Sequence, residues 1–127
     1  MSPRASGGAA PSKIGGAQEH DIEIALGALP GVTVWRNAII RTRTASGAHL
    51  LTGIGGKGAP DLLCEVQGPD GQTRAVWLES KAGSSRLNPD QKRWHEAAAR
   101  EGRHAFVVRS VDHALEIVQT FRGVRHG

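Results

Sequence analysis

Apolar residues recur at helical spacing at Ile22, Ala25, Leu26 and Leu29, which predicts a helix from about Gln18 to Leu29, closed by Pro30-Gly31. Val32 to Trp35 then reads as a strand, with Ala38-Ile39-Ile40 either continuing it or starting its partner. Ala45 to Pro60 reads as a glycine-rich loop. Asp61–Val66 and Arg74–Lys81 alternate as strands, and Pro69-Asp70-Gly71 between them is a turn signal, so the two form a hairpin. Asn88-Pro89 supplies an N-cap and a first-turn proline for a helix to about Glu101, stopped by Gly102. His104–Arg109 is a further strand, and Ser110 caps a last helix through about Phe121. The order is α-β-β-β-α-β-α, an α/β domain over residues 18–121. A flexible lead-in is expected at 1–17 and a basic tail at 122–127.

With 127 residues the chain makes one domain and can bury a core without staples. Its one cysteine, Cys64, excludes an internal disulfide framework and fits a reducing compartment. Placed in an apolar strand, it reads as a small buried hydrophobe. No apolar run approaches a membrane span, and residues 1–18 lack the apolar centre of a secretory signal, so no membrane is expected as a partner. The six histidines show no zinc spacing.

Charge changes the picture through its distribution. The net charge is +4, and between Glu23 and Asp61 there is no acidic residue, whereas Arg36, Arg41, Arg43 and Lys57 all fall there. Charge alone fits either a solvated basic face or a polyanion partner such as nucleic acid. Few aromatics and no tyrosine argue against base stacking as the main binding device.

Gly53-Ile54-Gly55-Gly56-Lys57-Gly58 satisfies G-x-G-x-x-G, with Glu79 about 20 residues on, as a dinucleotide-binding turn would have it. That motif needs a helix opening at its last glycine. Here Ala59-Pro60-Asp61 and the apolar run from Leu62 follow, which is a strand. A P-loop fails because Gly58, not Ser or Thr, follows Lys57. No nucleotide cofactor is expected.

The chemistry lies just beyond. Alternation along the strand puts Val76, Leu78 and Ser80 on one face and Trp77, Glu79 and Lys81 on the other. In an antiparallel hairpin Asp61, at the start of one strand, lies beside Glu79 and Lys81 at the end of the next. Two converging carboxylates suit a hard ion such as Mg²⁺ or Mn²⁺. A lysine beside them can orient or help deprotonate a water, or stabilise developing charge. An isolated E-x-K would read as a surface ion pair; the preceding Pro60-Asp61 and glycine run are what favour a site.

Pro60-Asp61, then Glu79-Ser80-Lys81 after a hairpin, in this element order, resembles the PD-(D/E)XK nuclease superfamily. Within that superfamily it looks like the VRR-NUC (virus-type replication-repair nuclease) family. Trp35-Arg36-Asn37, Gly56 to Leu62, Trp77 to Lys81, Gly83, Arg86 to Gln91 and Val108 to Val111 carry the likeness, over about Glu19 to Val118. The resemblance implies a restriction-endonuclease-like core with a central mixed sheet flanked by helices. It implies Asp61, Glu79 and the Ser80 backbone carbonyl as ligands of Mg²⁺ or Mn²⁺, and Lys81 as the catalytic lysine. Glu19 would be the first-helix acid, with Glu23 as the alternative and dipole-favoured helix charge as the plain reading of both. Gln91 would reach the site from its helix, whereas Trp94 reads as core and His95 as a helix-face residue. Arg36, Arg41, Arg43, Lys57 and Arg86 would meet nucleic acid, and the glycines would let backbone approach phosphate and metal.

The function implied is a bacterial or phage-encoded, cytoplasmic DNA endonuclease, structure-specific for branched, flap or junction DNA in replication or repair. Stand-alone members of the family pair, so a homodimer is expected. Two alternatives are a non-catalytic DNA-binding module on the same fold and an RNA-directed nuclease.

Overall fold

The computed structural model describes residues 11–38 and 40–124, leaving aside the side chains of 11–15, 40–42 and 49–52. The elements run α1 (Pro11–Gly27), β1 (Val32–Arg36), β2 (Ile40–Arg43), β3 (His49–Thr52), β4 (Leu62–Gln67), β5 (Thr73–Ser80), α2 (Pro89–Arg100), β6 (His104–Val108) and α3 (Val111–Arg122). The fold is α/β: a four-stranded mixed sheet in the order β1-β4-β5-β6 with three helices, and a separate two-stranded sheet of β2 and β3. β1 and β5 pair antiparallel to β4, and β6 runs parallel to β5.

The hairpin β4–β5 turns where expected. Gly71 takes φ +80, Gly68 N–H donates to Gln72 O at 2.8 Å, and Arg74 holds Asp70 at 2.8 Å. That ion pair and the Gln72 N–H hold the Asp70 carboxyl down at about 2. α2 is capped by Asn88 and Gln91 in a reciprocal capping box with Pro89 in its first turn. Ser110 caps α3, and Gly123 in the left-handed region ends it.

One face of the sheet carries the core. Leu62, Cys64, Val66, Val76, Leu78 and Val108 are buried there against Ile22 and Leu26 of α1 and Ala114 and Val118 of α3. Each fully buried aliphatic contributes about 1.5–3 kcal/mol. Cys64 is one of these residues, and burial pushes its thiol up to about 12.

Several expectations change. Ala45–Pro60 is not all loop: His49–Thr52 forms β3, which pairs with β2 in the register Ile40↔Thr52 to Arg43↔His49. Ile40 therefore neither prolongs β1 nor starts its partner, which is β4. The segment His49 to Thr52 is only four residues long, two of them apolar, and lies between Gly47 and Gly53, so the glycines masked it. The lead-in is also shorter: 11–17 belong to α1, with Pro11 in its first turn, and 1–10 lie outside the described residues. At its other end α1 stops at Gly27, and single turns closed by Ile24 O and Leu26 O carry the chain to Leu29. Of the expected basic tail, Arg122 ends α3 and 125–127 lie outside the described residues. No described helix is long and apolar enough to cross a membrane.

Candidate active site

The register of β4 and β5 does most of the assembly. Leu62 pairs with Leu78, so one step on Asp61 lies opposite Glu79, both on the face away from the apolar core. Asp61 is held from two sides. Its carbonyl accepts from Asn37 N–H at 2.7 Å, and its Oδ2 accepts from Ser80 N–H at 3.2 Å. Ser80 is itself steadied by Gln18 of α1, whose Nε2 donates to Ser80 Oγ at 2.9 Å and to Lys81 O at 3.3 Å.

Glu79 is 2% exposed. Gln91 Nε2 stands 3.4 Å from Glu79 Oε2, and Lys81 Nζ lies 4.0 Å from the same oxygen. No donor reaches Glu79 Oε1. The Glu79 carboxyl is driven to about 9, first by burial, then by its hydrogen bond to Asp61 and the Asp61 charge. Glu19 adds to this and Lys81 opposes it. A buried carboxylate facing a second one is relieved by a shared proton or a cation between them. The donor set (two hard carboxylates, one oxygen without a partner) therefore fits Mg²⁺ or Mn²⁺. Among the described residues no group of three or more His, Cys, Asp or Glu is placed to hold a metal ion. Water and substrate oxygens would have to complete any shell on this pair.

A cleft of about 460 Å³ opens beside Asp61, lined by Glu19, Arg36, Asn37, Lys57, Asp61 and Gln91 among others. Glu19 feels Asp61: burial raises its carboxyl most, the Asp61 charge adds, Arg36 lowers it, and Glu23 raises it again. Arg36 reaches both helix acids, Glu19 at 3.3 Å and Glu23 at 3.5 Å. Glu23 lines a different groove, with Ile24 and Val34. No protein-family model, curated protein or solved structure matches this chain.

The remaining cations spread around the rim. Lys57 pairs with Asp90 at 3.5 Å. Arg43 and Arg86 are exposed, and the side chain of Arg41 lies outside the described residues. Arg86 sits in a connection pinned by Arg109, whose Nη1 donates to Gly83 O at 3.0 Å and to Ser85 O at 2.7 Å.

The glycine run has a use the sequence does not announce. It leads into β4, and Gly58 at φ +86 packs on the first turn of α2. A Cβ there would lie 2.3 Å from Asp90 O. So this glycine brings the loop against the backbone of α2. Gly55 O accepts from Trp94 Nε1 at 2.8 Å, and Trp94 leans on Trp77 with ring centres 5.1 Å apart. Trp94 is thus half-buried packing and a loop clamp at once. Beside it, His95 is part-buried, burial lowers its pKa, and its Nε2 has no partner.

Sequence reasoning missed Asn37 as a structural centre. It is 7% exposed; its Nδ2 donates to Ile54 O and Pro60 O, and its Oδ1 accepts from Ile54 N–H, at 2.8–2.9 Å. Only its place between a strand and a glycine-rich stretch hinted at this. Gln18 and Arg109 act likewise across long sequence separations and leave no local signal.

Proposed function

We propose that this chain is a metal-dependent nuclease hydrolysing DNA phosphodiester bonds on a core of PD-(D/E)XK type. The observation that carries the reading is a buried carboxylate, Glu79, with one oxygen unpartnered, set opposite Asp61, which itself lines a cleft. A divalent ion bound there would neutralise phosphoryl charge and acidify a bound water. Everything else is work for the chain's own groups. Ser80 N–H and Asn37 N–H fix Asp61, and Gln91 and Lys81 both lie on Glu79 Oε2. The Lys81 ammonium offers its charge to the attacking water or the developing oxyanion. Arg36 and Lys57 on the cleft wall supply positive charge for the flanking phosphates.

Branched or structured duplex DNA is the substrate class this reading favours, with two copies of the chain presenting two sites to two strands. A cleavage panel over branched, nicked and linear DNAs tests it. Cutting is expected with Mg²⁺ or Mn²⁺ and binding without cutting with Ca²⁺, which is larger and holds its ligands more loosely. Lys81→Ala should abolish turnover while affinity stays within a few-fold. Undiminished cleavage in excess EDTA overturns the mechanism. Binding that persists with no cleavage under any metal leaves a non-catalytic DNA-binding module, and preference for RNA leaves an RNA nuclease. Sedimentation showing only monomer at active concentrations removes the pairing.

A further inference from the structure

β2 and β3 pair only with each other, outside the central sheet. Their turn is ordered by its own bonds: Thr44 N–H to Ala48 O at 2.8 Å, Gly47 N–H to Thr44 O at 2.9 Å, and Ala48 N–H to Thr44 Oγ1 at 3.1 Å. Arg43 to Ala48 are all exposed. The tip, Thr44 to Ala48, is made of small residues with two hydroxyls, no aromatic and no acid. At its root the hairpin is closed by the double hydrogen bond between Asn37 and Ile54, each at 2.8 Å. The same Asn37 is bonded to the carbonyls of Pro60 and Asp61. The hairpin is therefore fixed relative to the carboxylate pair, and the stretch around it carries cations and no anions.

We propose that β2–β3 is an arm that enters the major groove of duplex DNA and sets which phosphodiester reaches Asp61 and Glu79. The inference rests on the reading of DNA as substrate. B-DNA's major groove, about 12 Å wide, admits a two-stranded ribbon. Four-residue strands at about 3.3 Å per residue give about 13 Å, more than the groove depth of about 8.5 Å. The small tip passes between phosphate rows, where the Thr44 and Ser46 hydroxyls and free backbone groups meet base edges. Arg43, at the start of the turn, meets the phosphate flank. The deep, narrow major groove of A-form RNA excludes such a ribbon.

The test is equilibrium binding of the full chain to a linear duplex in EDTA, with dimethyl sulfate probing of guanine N7 on the major-groove floor. Wild type should protect N7. Ala45→Glu with Ala48→Glu, at two exposed tip positions, should weaken duplex binding about tenfold or more and abolish the protection, with an unchanged melting temperature. Absence of N7 protection by wild type overturns the arm, as does unchanged affinity in the charged variant or equal affinity for duplex RNA. Because no metal is present, the arm and the nuclease reading fail separately. N7 protection without cleavage in Mg²⁺ removes the nuclease and keeps the arm, and cleavage without N7 protection does the reverse.

Discussion

The two faces of the central sheet are built from alternate residues of the same strands and obey different rules. Towards α1 and α3, Leu62, Cys64, Val66, Val76 and Leu78 join one apolar cluster. Towards α2, Trp77 and Glu79 meet an indole, an amide, an ammonium and a second carboxylate. The first face has many similar contacts, so its energy is spread and no single residue carries chemistry. The second buries an ionisable group far from its ordinary titration range, which lowers stability and is typical of a site kept for function. Leu78 and Glu79 are chain neighbours, yet substitutions in them should move different observables.

Glu79→Gln gives the largest effect on that contrast. Cleavage should fall by about 10²–10³ or more, as when one preorganised charge partner is removed. In metal-free buffer at neutral pH the variant should nevertheless melt above wild type, since burial and the Asp61 charge make the wild-type carboxyl take up a proton on folding and the amide has none to take up. A lower melting temperature would make Glu79 a structural asset and erase the contrast. Leu78→Ala should do the opposite. It should lose about 2–5 kcal/mol of stability by urea unfolding, with cleavage per folded molecule kept within a few-fold. If cleavage collapses instead, the two faces are coupled through the strand.

Gly58→Ala probes the loop that closes the second face. A left-handed φ costs an alanine about 1–2 kcal/mol, and its Cβ would strike the Asp90 carbonyl. The loop must leave α2, so stability and cleavage should fall together; loss of stability alone would show that the cleft tolerates a displaced wall. The smallest effect belongs to Cys64. An unfolded thiol ionises near 9 and the buried one near 12. The stability tied to the neutral thiol is whole below pH 9 and fades between the two values as pH rises. Wild type should therefore lose ground to Cys64→Ala only above pH 9, and native protein should resist alkylation. Rapid native alkylation would mean that the apolar face opens.

Much of this was legible because it is periodic or local. A period of two, one proline-aspartate-glycine turn and the antiparallel rule suffice to set Asp61 against Glu79. Asn88-Pro89 and Ser110 marked two helix starts correctly. The rest depends on partners far away in the chain. Asn37 bonds to Ile54, Pro60 and Asp61, and Gln18 reaches Ser80 across 62 positions. Neither has a spacing rule to betray it. β3 was lost because four residues between glycines give no countable period, and the first turns of α1 because Gly15 and Gly16 favour a coil. The unpartnered oxygen of Glu79 follows from how α2 lies over the sheet, a packing fact with no sequence shorthand.

Asn37 closes the hairpin at its root while holding Asp61, and that makes the segment between Asn37 and Ile54 a cassette. Its length and residues can be exchanged without shifting the carboxylates, because the joint is finished before the insertion begins. For an engineer it is a graft point for new recognition elements on an unchanged reaction centre. Under the nuclease reading proposed above, it is a place where target preference can drift while the carboxylates stay still.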